Sequence, residues 1–418
     1  MATFDQMTKI ETIGEPKINS PIDLHNTRGN AFEFVKDDER VLLDISAKKV
    51  QEILEEGGEL PSFEKAGPRE KIFFETKKSK AAIVTCGGLC PGINDVIRNI
   101  TMGLYHFYDV TDIVGIPYGY EGLIPSFGHE FIKLTPDVVR NIHEFGGTIL
   151  GSSRGAQDIG IMVDTLVNEK IDMLFTVGGD GTLRGAAQIA EEIKRRGLNI
   201  VVAGIPKTID NDIDYIDKSF GFETAFDIAS PIVRDAHNEA TGAYNGIAIV
   251  KLMGRDSGFI AACAALSMPV VNFVITPEMN FQLTGEDGLL NILHKRLKDR
   301  KHAVIVVAEG AGQHLFQKDE TITDASGNIM HQDIGTHLKS EIATYFKQIG
   351  EKVTIKYIDP SYIIRCAPAN ANDTIFCSRL AYNAVHGAMA VKTQFVIGIL
   401  NNKFVYMPID SVIYKRKR

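Results

Sequence analysis

A cation, a hydroxyl, two carboxylates and an amide fall within six residues of the stretch Gly204-Ile205-Pro206-Lys207-Thr208-Ile209-Asp210-Asn211-Asp212. The apolar run before it, Ile200–Ala203, reads as a buried strand of a parallel sheet. The stretch is then expected just beyond the carboxyl end of a strand, where open α/β sheets place ligands. Asp210 and Asp212 would share one face of an extended segment. Carboxylates that close raise each other's pKa unless a cation lies between them, which suits a general base beside a metal. An Asx-rich loop that caps a helix has the same composition, and the stretch alone leaves both readings open.

Other stretches carry similar potential. Gly178-Gly179-Asp180-Gly181-Thr182-Leu183-Arg184-Gly185 holds four glycines in eight residues, letting backbone approach a ligand closely. In it Asp180 could hold a metal-bound water and Thr182 could cap the helix that follows. Cys86-Gly87-Gly88-Leu89-Cys90-Pro91-Gly92 has the strand–glycine turn–helix setting in which N–H groups cradle phosphate, although a tight turn needs the same residues. Gly146–Arg154 is small and hydroxylated with one arginine, and is a loop or a second phosphate lip. Lys356 and Arg365 around Tyr362 suit a phosphomonoester, or a bland surface strand.

Short apolar strands must position these groups: Ala81–Thr85, Ile113–Pro117, Asp172–Val177, Ile247–Leu252, Val270–Ile275, Ala303–Ala308 and Phe395–Leu400. Helical periodicity alternates with them, predicting an α/β fold of two similar three-layer, Rossmann-like lobes with a cleft between them. The expected division is an N-terminal extension (1–80), one lobe from 81–221 with 364–400, a second lobe (222–363) and a C-terminal tail (401–418). The extension carries only a short helix near Ala47–Glu56, Gln313–Gln332 reads as an exposed loop or hairpin, and the basic end 414–418 reads as a solvated tail.

At 418 residues, with 44% hydrophobic and 23% charged side chains, the chain has the composition of a soluble globular enzyme. A net charge of −8 gives no support for nucleic acid or an anionic membrane as partner, so an anionic substrate needs a local basic pocket. Five scattered cysteines read as free thiols in a reducing compartment. The N-terminus is too polar for a secretory signal, and no apolar run nears a membrane span, so the expected place is the cytoplasm.

Taken together, GGDGT (178–182), PKTIDND (206–212), MGRDSG (253–258), Pro277-Glu278 and YIDPSYIIR (357–365) resemble the phosphofructokinase family, in the family's order over residues 81–400. The wording of TCGGLCPG and PSYIIR is most similar to its long branch, which contains pyrophosphate enzymes and some ATP enzymes. The resemblance implies transfer of a phosphoryl group to the C1 hydroxyl of fructose 6-phosphate, with Mg²⁺ as cofactor. Asp210 would be the general base, Asp180 and Asp212 would organise Mg²⁺, and Thr208 would bond near the reacting oxygens. Lys207, Arg154 and Arg255 would counter phosphoryl charge. Met253, Gly254, Arg255 and Glu278 would meet the sugar, and Lys356, Tyr362 and Arg365 its phosphate. Gly87, Tyr120, Arg154 and Gly178-Gly179-Asp180-Gly181-Thr182 would line the donor, making 81–221 with 364–400 the ATP-binding lobe and 222–363 the fructose-6-phosphate lobe. The resemblance also implies a glycolytic homodimer or homotetramer under allosteric control. The chain has glycine at 246 where the short bacterial enzymes have a subunit-bridging arginine, so that contact is not carried over.

Gly181 stands where pyrophosphate-using relatives have an aspartate that would occupy and repel the α-phosphate of a nucleotide, which favours ATP. Lys207 is typical of the pyrophosphate enzymes but can serve either donor. A glycine needed only for a positive φ would weaken the first argument. Three readings stand beside the ATP-dependent kinase: a pyrophosphate-dependent phosphotransferase, a non-catalytic regulatory subunit, and a lipid or NAD kinase. Intact Asp180, Asp210 and Asp212 oppose the regulatory subunit. The lipid or NAD kinase rests on GGDGT alone.

Overall fold

The computed structural model describes residues 8–22, 34–316, 331–413 and 417. Most of the loop expected over Gln313–Gln332, and most of the basic end, lie outside these residues. The chain forms two compact units: 1–208 with 213–220 and 368–416, and 209–212 with 221–367 and 417–418.

The first unit is built on a nine-stranded sheet. Its middle is parallel, in the spatial order Phe395–Leu400, Val201–Pro206, Met173–Gly178, Lys80–Thr85, Asp112–Ile116. These strands are almost wholly apolar because helices cover both faces. Ala82, Val84, Leu174 and Val202 join a core with Met162 and Val163 of helix Ile159–Asn168 and with Leu183, Ala186 and Ile189 of helix Asp180–Arg195. The alternate residues face the other layer, where helices Ile93–Tyr108 and Ala371–Met389 pack on one another.

Both ends of the chain depart from expectation. Arg40–Leu42 and Ser62–Lys65, read above as extension, are the last two strands of this sheet, and Lys403–Pro408, read as tail, lies between them and Phe395–Leu400. Strands of three to six residues with polar flanks leave too short an alternation to see. Their burial comes from partners far along the chain, with Phe63, Val405 and Tyr406 inaccessible. An ion cluster of Arg69, Glu64, Lys392 and Asp37 ties the N-terminal segment to the strand region near 392.

The second unit has a four-stranded, all-parallel sheet: Phe273–Ile275, His302–Ala308, Gly246–Leu252, Thr354–Ile358. Ala248, Val250, Val304 and Val306 meet helices Phe222–Thr241 and Phe259–Ser267 on one face. Ile247, Ile249, Ile305 and Val307 meet Leu289–Arg300 and Ile334–Gln348 on the other. The expected three layers are present in each unit, but the units are unequal, nine strands against four. A Cβ at Gly246 would lie 2.0 Å from the Ala240 carbonyl oxygen, so packing alone requires glycine there. Lys417 is not solvated tail: its N–H donates to Asp212 O at 2.9 Å and its ammonium lies over the Phe259 ring.

Candidate active site

In the first unit, the turns that follow Lys80–Thr85, Met173–Gly178 and Val201–Pro206 leave the carboxyl ends of adjacent parallel strands. They are stitched together by backbone. Cys86 N–H donates to Val177 O at 3.0 Å, and Lys207 N–H donates to Gly178 O at 2.9 Å. Gly87 N–H donates to Ser153 O, while Ser152 Oγ donates to Gly87 O at 2.6 Å. Lys207 is buried, and its Nζ donates to Gly88 O at 2.7 Å. A Cβ at Gly88 would lie 3.4 Å from Arg154 Nη2, so that guanidinium borders the same turn. Gly87, Gly178, Gly179, Lys207 and Arg154 are thus gathered at one end of the sheet.

Helix Asp180–Arg195 begins within the GGDGT motif, with Gly179 as its N-cap and no side-chain capping bond. Thr182 therefore does not cap it. It is buried inside the first turn, its side chain against Gly178, where a Cβ would meet Thr182 Oγ1 at 2.1 Å. Tyr120 does not present its hydroxyl to a donor either: the group is buried and donates to Thr182 O at 2.7 Å. The ring rests on Gly185, where a Cβ would lie 2.6 Å away. Tyr120 therefore braces the loop from below. Gly181 differs from its neighbours. It has no positive φ and nothing within 4 Å of a Cβ placed on it, so neither backbone nor packing demands glycine. Burial pushes the Cys86 thiol up to about 12, making it an inert part of this floor, and the described cysteines are all free.

The segment after Pro206 is not extended, because Gly204–Pro206 belong to the strand and Asn211 sits at φ 57 in a turn. Strand alternation therefore does not put Asp210 and Asp212 on one face. Ser219 Oγ donates to Thr208 O at 2.6 Å, holding the start of the turn. Residues 209–212 cluster with the second unit. There Asp210 Oδ2 accepts from Arg255 N–H at 3.2 Å, and Asp210 O accepts from the buried Ser257 hydroxyl at 2.9 Å.

The second unit repeats the arrangement, with strands Gly246–Leu252 and Phe273–Ile275 running into candidate residues. Met253 is buried, and Gly254, at φ 130, allows the turn that carries Arg255. Gly310 N–H donates to Gly254 O at 3.0 Å, and a Cβ at Gly310 would lie 1.8 Å from Arg255 O. Glu278 Oε1 accepts from Gly258 N–H at 2.8 Å, fixing the start of helix Phe259–Ser267. The Arg365 guanidinium lies 4.5 Å over the exposed Tyr362 ring. Lys356 departs from the pattern. It lies mid-strand rather than at a strand end, and its ammonium pairs with Glu239 at 3.4 Å.

Glu309 was not singled out from the sequence. It ends strand His302–Ala308, and burial pushes its carboxyl up while Lys251, Arg255 and Arg365 pull it down. An acid ending an apolar strand was the available signal. Burial and then Arg255 lower the pKa of His331.

For a metal, the described residues contain no group of three or more Asp, Glu, His or Cys side chains that could hold an ion. Asp180, in the first helical turn, supplies a single hard carboxylate beside the glycine loop. That donor set fits Mg²⁺, which keeps waters and takes one or two carboxylates plus substrate phosphate oxygens. No helix among the described residues is long and apolar enough to cross a membrane.

The family model described as Phosphofructokinase matches residues 80–388. The chain is 48% identical to the ATP-dependent 6-phosphofructokinase of Borreliella burgdorferi, over 98% of this chain and 92% of that protein. It is 47% identical to the enzyme of the same name from Entamoeba histolytica (98% and 91%) and 44% identical to that of Amycolatopsis methanolica (98% and 91%). Among solved structures, the pyrophosphate-dependent phosphofructokinase of Marinobacter aquaeolei is similar in fold, with a TM-score of 0.67 at 20% identity over 81% of this chain and 85% of that one. Phosphofructokinase from Saccharomyces cerevisiae gives 0.64 at 23% over 80% of this chain and 45% of that one. With the family model covering most of its length and relatives this similar end to end, the chain belongs to the phosphofructokinase family.

Proposed function

We propose that the chain is an ATP-dependent 6-phosphofructokinase, transferring the γ-phosphoryl group of ATP to the C1 hydroxyl of fructose 6-phosphate to give fructose 1,6-bisphosphate and ADP. The observation that carries the choice of donor is Gly181. Its freedom from any conformational or packing demand leaves room for a ligand as its reason, beside the loop where donor phosphates would lie. The relatives named above bear ATP in their names and support the same reading.

In this mechanism Asp210 takes the C1 proton as the sugar oxygen attacks the γ-phosphorus. Its carboxylate is oriented by Arg255 N–H and its backbone by Ser257. Arg255 and Arg154 would offset charge on the phosphoryl oxygens, with Thr208 beside the reacting atoms. Lys207 also fastens the Gly87–Gly88 turn, so its presence does not by itself specify pyrophosphate. Arg365, Tyr362 and Glu309, with Met253, Gly254 and Glu278, would receive the sugar phosphate. Mg²⁺, held by Asp180, would neutralise charge on the donor phosphates when bound. The working enzyme is proposed to be a cytoplasmic homodimer or homotetramer.

A coupled assay with fructose 6-phosphate, comparing ATP and pyrophosphate with and without Mg²⁺, tests this reading. ATP with Mg²⁺ is expected to give fructose 1,6-bisphosphate. Product from pyrophosphate but not from ATP would overturn it.

A further inference from the structure

The strand Gly246–Leu252 reads Gly-Ile-Ala-Ile-Val-Lys-Leu, so one charged side chain, Lys251, sits in an otherwise apolar, interior strand. Its side chain is only 14% exposed. Holding a lysine there costs desolvation that only well-placed carboxylates repay. Two are present: Asp359 at 2.9 Å and Asp333 at 3.3 Å.

Each carboxylate also anchors a separate segment. Asp359 follows the neighbouring strand Thr354–Ile358, and its Oδ1 accepts from Ser361 N–H at 3.1 Å and from Ser361 Oγ at 2.5 Å. That fixes the start of the turn of helix Ser361–Arg365, which carries Tyr362 and Arg365. Asp333 accepts from Gly335 and Thr336 N–H at the start of helix Ile334–Gln348, and from the Tyr357 hydroxyl at 3.2 Å. On its own strand Lys251 stands two residues before Met253 and four before Arg255. Lys251 also acts on the carboxyl of Glu309. A single ammonium thus joins the strand leading to Arg255 to the segment bearing Arg365 and to the start of helix Ile334–Gln348.

We infer that Lys251 is a positioning residue for sugar-phosphate recognition, holding the Tyr362–Arg365 helix in register with the Arg255 loop through Asp359 and Asp333. This rests on the substrate reading above. The opposite charges reinforce one another. Asp359 and Asp333 are each held below the usual carboxylate range, with burial opposing and the bonds of Ser361, Thr336 and Lys251 prevailing. Lys251 is raised against its own burial, chiefly by Asp359.

The test compares wild type, Lys251→Met, Lys251→Arg and Asp359→Asn. Asparagine still caps Ser361 but loses the ion pair. Lys251→Met and Asp359→Asn are expected to raise KM for fructose 6-phosphate about tenfold, the scale of one charged hydrogen bond, with KM for ATP within about twofold. Lys251→Arg should restore KM to within about threefold, since the positive charge is kept. Hydrogen exchange over 359–366 should quicken in both charge-removing variants while 93–108 is unchanged. Equal rises in both KM values, or unchanged exchange over 359–366, would overturn the inference. A wild type that makes no fructose 1,6-bisphosphate sinks the substrate reading instead, and the exchange measurement still decides the role of Lys251.

Discussion

Asp210 is held by two bonds from one loop, Arg255 N–H to its carboxylate and Ser257 Oγ to its carbonyl. A base fixed this way loses little geometry when its charge is removed, so Asp210→Asn isolates proton transfer. Initial rates should show kcat reduced roughly 10²–10⁴-fold with both KM values nearly unchanged. Gly181 offers the complementary test. Because nothing lies within 4 Å of a Cβ there, Gly181→Asp should fold normally, with a Tm within about 2 °C of wild type. It should nevertheless lose ATP use, because the new carboxylate occupies and repels the α-phosphate. Unchanged ATP kinetics would show the open space to be irrelevant to the donor.

At the scale of elements, both units place many of their candidate residues on turns after parallel strands, and small residues set how closely those turns approach. Gly185 and Tyr120 show the dependence. The ring lies where a Cβ at 185 would be, and its hydroxyl is tied to Thr182 O. Gly185→Val should push the ring away and disturb the start of helix Asp180–Arg195, costing about 1–3 kcal/mol by overpacking and weakening ATP binding. Tyr120→Phe keeps the ring and loses only the hydroxyl bond, about 1 kcal/mol. Urea unfolding of the two variants, with ATP KM beside it, checks the order. A larger loss from Tyr120→Phe would contradict the bracing role.

Across the whole chain, stability in acid should depend on His386. It lies on helix Ala371–Met389 and its Nδ1 is 2.8 Å from the Tyr108 hydroxyl of helix Ile93–Tyr108, with Phe107 stacked beside it. Burial, and then the Arg69 charge, lower its pKa from 6.5 to about 3. The folded state therefore binds fewer protons than the unfolded state over that interval. The stability that follows from a neutral His386 is complete above pH 6.5 and is lost as pH falls toward 3. His386→Gln, which keeps a partner for Tyr108, should flatten the fall in urea midpoint between pH 7 and pH 5. An equally steep fall in the variant would remove His386 as the cause.

The sequence by itself determined the family and most of the parallel strands of both sheets, because each of those apolar runs is long enough to recognise and most end in a glycine turn. Gly87, Gly178 and Arg255 could be placed at strand ends for that reason. Glu309 and the strands Ser62–Lys65 and Lys403–Pro408 were not legible, since their roles come from partners remote in the chain. Tyr120 and Thr182 looked like ligand contacts, and only packing shows them to be supports, because burial and a claimed hydrogen bond are tertiary facts. Lys356 read as a phosphate ligand in the sequence, and only the fold shows that it lies mid-strand beside Glu239. Asp210 and Asp212 were expected to share a face by alternation, and the left-handed turn at Asn211 removes that reason. Gly181 reverses the lesson. Its meaning lay in the sequence, but only the empty space around it excludes the plainer explanation, that the backbone needed a glycine.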